Sequence, residues 1–110
     1  MITRDRFACP CCKKNNIDDG LLQLCVQIEQ AVCIPLRISS GYRCKSHNFS
    51  VGGEPNSQHL LGKAADITCG DIGKLRTICD RMWNTNVIGG LGTYPTFCHV
   101  DIGSHRRWRR

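Results

Sequence analysis

Apolar residues recur along the chain with two distinct periods. Over residues 17–33, IDDGLLQLCVQIEQAVC, Leu21, Cys25, Ile28 and Val32 return at helical spacing and form one apolar stripe. Asn16 or Asp18 can cap its start, and Pro35 closes its end. A second stripe of Ile72, Leu75, Cys79 and Met82 predicts a helix over 71–83. Elsewhere the pattern shortens. LRISS (36–40), KAADIT (63–68), VIGGLGTY (87–94) and TFCHVDI (96–102) read as strands, the last two turned around Pro95. Residues 41–58, GYRCKSHNFSVGGEPNSQ, are rich in Gly, Asn and Ser and predict a long loop. Loops of that length are uncommon in compact domains and are often functional. The order of helix, strand, long loop, strand, helix and hairpin is an α+β pattern, a small antiparallel sheet with flanking helices. Nothing in it marks a repeat or a linker, so residues 1–110 read as one domain with a basic tail at 105–110.

Composition narrows the class. With 41% hydrophobic and 22% charged residues the chain can fold around a core, a thin one at 110 residues. No stretch approaches the ~20 apolar residues of a membrane span. The opening MITRDRF lacks an apolar signal core, which points to synthesis in the cytoplasm. Nine cysteines are present, an odd count, and Cys25 and Cys98 sit where buried apolar residues belong. Reduced thiols are therefore expected rather than a disulfide framework. CPCC at 9–12 could hold metal, although no second cluster has finger-like spacing. Much of the net charge of +6 sits in HRRWRR (105–110). This reads as a solvated, partly frayed tail, or one that tunes affinity for an anionic partner. A nucleic-acid role would rest on that charge alone and is not expected.

Candidate chemistry lies in PNSQHLLGKAADI (55–67), which holds His59 and Asp66. A straight helix would set residues seven apart at ~10 Å, too far for easy sharing of one ion. The segment must bend, and Gly62 supplies a place for it. SQHLLG would then be a turn, with Asp66 on the strand that follows. A third ligand must come from elsewhere among His47, His99 and His105. His99 stands in a strand whose alternation puts Phe97, His99 and Asp101 on one face. Asp101 could act as a general base or orient a ligand histidine from behind. Taken one at a time, these residues read equally well as surface or core groups.

Two long segments, SSGYRCKSHNFSVGGEPNSQHLLGKAADI and GGLGTYPTFCHVDIG…RRW, together resemble the M15 family of zinc D-Ala-D-Ala carboxypeptidases and murein endopeptidases. FACPCC also looks like the start of such chains. The motif Ser-x-His-x-x-Gly-x-Ala-x-Asp is met at Ser57, His59, Gly62, Ala64 or its neighbour Ala65, and Asp66. The resemblance implies a hedgehog/DD-peptidase-like fold and a catalytic zinc held by His59, Asp66 and His99, with water as fourth ligand. It further implies a substrate in the peptide stems or cross-links of peptidoglycan, with Arg43 and Ser57 lining the pocket. Arg43 would hold a carboxylate or steady the oxyanion.

One departure bears on mechanism. Many members carry Glu or Asp three residues before the last zinc histidine, where this chain has Thr96. Asp101 is then the candidate base and Glu54 the second. The competing expectation is a zinc-stabilised wall-binding module without turnover, since the hedgehog signalling domain shares the fold. A wall substrate without a visible export signal fits a phage lysis or virion protein released by other means, or a bacterial protein exported without such a signal. A monomer is the default.

Overall fold

A computed structural model describes residues 2–110. Helix α1 (Asp19–Val32) buries Leu21, Leu24, Cys25, Ile28 and Val32 along one side. Asp18 starts it by accepting the N–H of Gly20, and Cys33 ends it in a left-handed conformation. Helix α3 (Ile72–Asn84) is capped by Asp71 and buries Leu75 and Cys79. Both helices lie on one face of a five-stranded sheet. Its strands are β1 (Arg37–Ser40), β2 (Ala64–Thr68), β3 (Gly90–Thr93), β4 (Cys98–Asp101) and β5 (Arg106–Arg109), in the order β1-β2-β4-β3-β5. Ala65, Ile67, Leu91, Cys98 and Val100 face the helices and form the core with Phe7 from a 3-10 turn at Arg4–Phe7. The expected α+β architecture holds, with three antiparallel pairings and one parallel, between β3 and β5.

Two segments depart from the sequence reading. The loop at 41–58 contains a short helix, α2 (Lys45–Ser50). No apolar stripe announces it, because its support is polar. Cys44 caps it, and the buried Asn48 donates from Nδ2 to the Glu54 carbonyl at 2.9 Å. The tail at 105–110 is not frayed but forms the edge strand β5. Arg106 pairs with Asp101, Arg107 with Asp80, and the Trp108 indole N–H donates to the Tyr94 hydroxyl at 3.1 Å. Charge alone hid a strand whose alternate side chains each have an inward partner.

Candidate metal centre

Sheet register brings the first two site residues together. Asp66 on β2 and His99 on β4 are direct cross-strand partners, so their side chains leave the sheet side by side on the face opposite the helices. His59 arrives from a 3-10 turn, Gln58–Leu61, that runs into β2. Ser57 starts this turn by accepting the His59 N–H at 3.1 Å. Gly62 ends it at φ 69°, where a Cβ would stand 1.9 Å from the Asn16 carbonyl oxygen. The bend required of this segment is therefore present, at a position where only glycine fits.

The three side chains converge. His59 Nε2 lies 3.3 Å and His99 Nδ1 3.2 Å from the same Asp66 oxygen, Oδ1. One ligand atom from each residue lies within 4.8 Å of the other two. All three residues are buried. The atoms behind them are also fixed. His59 Nδ1 donates to the Gly41 carbonyl at 2.8 Å, which turns the Nε2 lone pair inward. His99 Nε2 meets Asp101 Oδ2 at 2.8 Å, leaving Nδ1 for the centre. Arg43 Nη2 holds Asp66 Oδ2 at 3.3 Å, leaving Oδ1 for the centre. Two imidazoles and a carboxylate, each anchored through its second polar atom, could supply three donors to a divalent metal and leave a position open.

Electrostatics favour ionised carboxylates at Asp66 and Asp101 and a proton on His99, which a metal at Nδ1 would have to displace. Burial opposes charge on Asp66, but the bonds from His59 and His99 outweigh it and hold the carboxyl well below its usual range. Burial likewise opposes charge on His99, yet Asp101 and Asp66 raise its pKa. Asp101 is pushed down to about 2, with burial overcome by His99 and Arg106.

Above the three residues opens a cleft of about 670 Å³, lined among others by Arg43, Glu54, Ser57, Tyr94, Arg106 and Trp108. Arg43 is fixed within it by Ser40 Oγ at 3.0 Å and Asn48 Oδ1 at 3.2 Å. Glu54 is exposed on the rim. Asp101 sits beneath, fully buried, its oxygens held by His99, Arg106 and the N–H groups of Gly90 and Gly103. Thr96 is exposed, and its carbonyl accepts the Thr68 hydroxyl. Of the remaining histidines, His47 lies on α2 and His105 stacks on Trp83, away from the centre.

Three contributors escaped the sequence reading: Arg106, Trp108 and the Gly41 carbonyl. Trp108 tilts over His99 with ring centroids 5.0 Å apart. It comes so close to β3 that a Cβ on Gly92 would stand 2.5 Å from its indole. The i, i+2 spacing of Arg106 and Trp108 was the available signal, since it sets both on one strand face.

Residues 2–101 match the peptidase M15 family, and the chain belongs to it. It is 35% identical over 83 residues to a probable peptidoglycan L,D-endopeptidase, MepK, of Haemophilus influenzae, a match covering 67% of this chain and 42% of that protein. It is 32% identical over 77 residues to a zinc D-Ala-D-Ala carboxypeptidase of Streptomyces albus G, covering 67% of this chain and 30% of the relative. The matches thus span less than half the length of these relatives.

Proposed function

We propose that the protein is a zinc-dependent peptidase acting on the peptide stems or cross-links of peptidoglycan. The observation that carries this reading is the convergence of His59, Asp66 and His99 on one point, each anchored from behind, at the floor of an open cleft. His59, Asp66 and His99 would hold the zinc, which would supply Lewis-acid activation of water and of the scissile carbonyl. The chain's own residues do the rest. Arg43, rigid and cationic, binds a substrate carboxylate or the oxygen that gains charge during attack. Arg106 adds positive charge along the cleft, and Tyr94 and Trp108 give it an aromatic wall. Ser57 lines the cleft and fixes the turn that carries His59.

The proton carrier follows from which acid reaches the cleft. Asp101 has its oxygens engaged below the floor, where it sets the His99 tautomer and acts as a positioning residue. Glu54 lines the exposed rim of the cleft and is the acid open to it, so it is our candidate base. Asp101→Asn is then expected to weaken zinc binding by roughly 10–100-fold, read by competition with a chelating dye. Glu54→Gln is expected to leave zinc affinity unchanged and slow hydrolysis by roughly 10²–10⁴-fold. The reverse pattern, zinc retained and hydrolysis lost in Asp101→Asn alone, would return the base to Asp101.

Purified protein incubated with peptidoglycan should release peptides identifiable by mass spectrometry, and a chelator should stop the release. The scissile bond is read from the new termini. A second reading, a zinc-stabilised wall-binding module, draws on the exposed position of Glu54 and on Thr96 at the place of the missing acid. Zinc-dependent pelleting with peptidoglycan and no released peptide would decide for it.

A further inference from the structure

A second group of metal-binding side chains lies away from the cleft, and the peptidase reading makes no use of it. The sulfurs of Cys9, Cys12 and Cys44 lie within 4.8 Å of one another. Cys9 Sγ and Cys44 Sγ are 3.8 Å apart, far beyond the ~2.05 Å of a disulfide. Four sulfurs held at ~2.3 Å around a tetrahedral zinc stand about 3.8 Å from each other. Cys11, next to Cys12 on the same loop, carries a fourth thiol near enough to Cys44 to interact with it, outside the group of three. Cys9 and Cys12 have the C-x₂-C spacing common in structural zinc sites.

The backbone also holds the loop that carries three of these thiols. Residues 9–14 close into a tight loop through Cys9 N–H to the Lys14 carbonyl at 2.8 Å and Lys13 N–H to the Cys9 carbonyl at 2.7 Å.

We propose that Cys9, Cys11, Cys12 and Cys44 form a second, structural site for a thiophilic divalent cation of the zinc class. The site ties the N-terminal loop to the start of α2, one residue beyond Arg43. The backbones of the two segments already meet where Tyr42 N–H donates to the Phe7 carbonyl at 2.9 Å. Between that bond and β1 lies Gly41, whose carbonyl orients His59. A metal at the four thiols therefore clamps the strand end that positions both Arg43 and His59.

The test uses the full chain under reducing conditions, loaded with Co²⁺ for spectroscopy and with Zn²⁺ for stoichiometry. Thiolate ligands give a sulfur-to-cobalt charge-transfer absorption in the near ultraviolet that a His/Asp/His centre cannot produce. The expected result is that band in the wild-type chain, with two zinc ions per chain by elemental analysis. Cys12→Ser and Cys44→Ser should each abolish the band and remove one zinc, while Cys33→Ser and Cys69→Ser, outside the cluster, leave both intact. Asp66→Ala should lose a zinc yet keep the band, which separates this site from the proposed catalytic one. Absence of the band in reduced, cobalt-loaded wild-type protein overturns the proposal even if a cysteine variant fails to fold. So does a band that survives both Cys12→Ser and Cys44→Ser.

Discussion

Asp66→Ala should yield a folded protein that no longer holds zinc at the cleft and hydrolyses peptidoglycan on the order of 10⁴-fold more slowly, the scale of removing one member of a catalytic unit. Asp66 is the hub of the centre. One of its oxygens faces both histidines and the other faces Arg43. Alanine removes the ligand and also releases Arg43 from one of its three holds. The fold should survive, because Asp66 is on the sheet face opposite the helices and its backbone keeps its place in β2. Zinc content by elemental analysis, far-ultraviolet circular dichroism and peptide release together check this. Zinc retained at wild-type level with activity intact would remove Asp66 from the site.

Arg43→Ala should separate metal binding from turnover. The guanidinium meets the centre at the outer oxygen of Asp66 and not at Oδ1, so zinc should stay bound. Hydrolysis should fall by roughly 10²–10³-fold, the loss typical of removing one donor to a developing oxyanion. Lysine should rescue little of it. The fork of Arg43 bonds Ser40, Asn48 and Asp66 at once, and a point-charged ammonium cannot reproduce those three directions. Comparing kcat and KM for a defined stem peptide distinguishes the roles. A rise in KM alone means that Arg43 grips a carboxylate in the ground state, and a fall in kcat means that it acts in the transition state.

The parts of this site that were legible in the sequence are those whose meaning is local. Gly62 announced a bend between His59 and Asp66, and strand alternation set His99 and Asp101 on one face. The apolar stripes of α1 and α3 announced both helices to within a few residues. What stayed hidden depends on partners distant in the chain. The glycines at 90 and 92 make sense only once Arg106 and Trp108 fold back against them. Helix α2 rests on Asn48 and Cys44, whose hydrogen bonds carry no periodic signature. Asp101 could be read as base or as support, and the choice turns on Arg106, a residue that looked like one more charge in a basic tail.

The three candidate ligand side chains stand on unequal supports. Asp66 and His99 are fixed to each other by the ladder between β2 and β4, so neither can move without breaking the sheet. His59 stands on a single 3-10 turn, held at its far end by the Asp18 N–H bond to the Gly62 carbonyl. Short turns open far more readily than paired strands. Metal exchange should accordingly begin at His59, with the carboxylate and the second imidazole retaining the ion meanwhile. The rate at which a chelator strips the protein then measures how often that one turn unlatches, and it should quicken when the turn is loosened at Ser57 and stay constant when the sheet edge is altered.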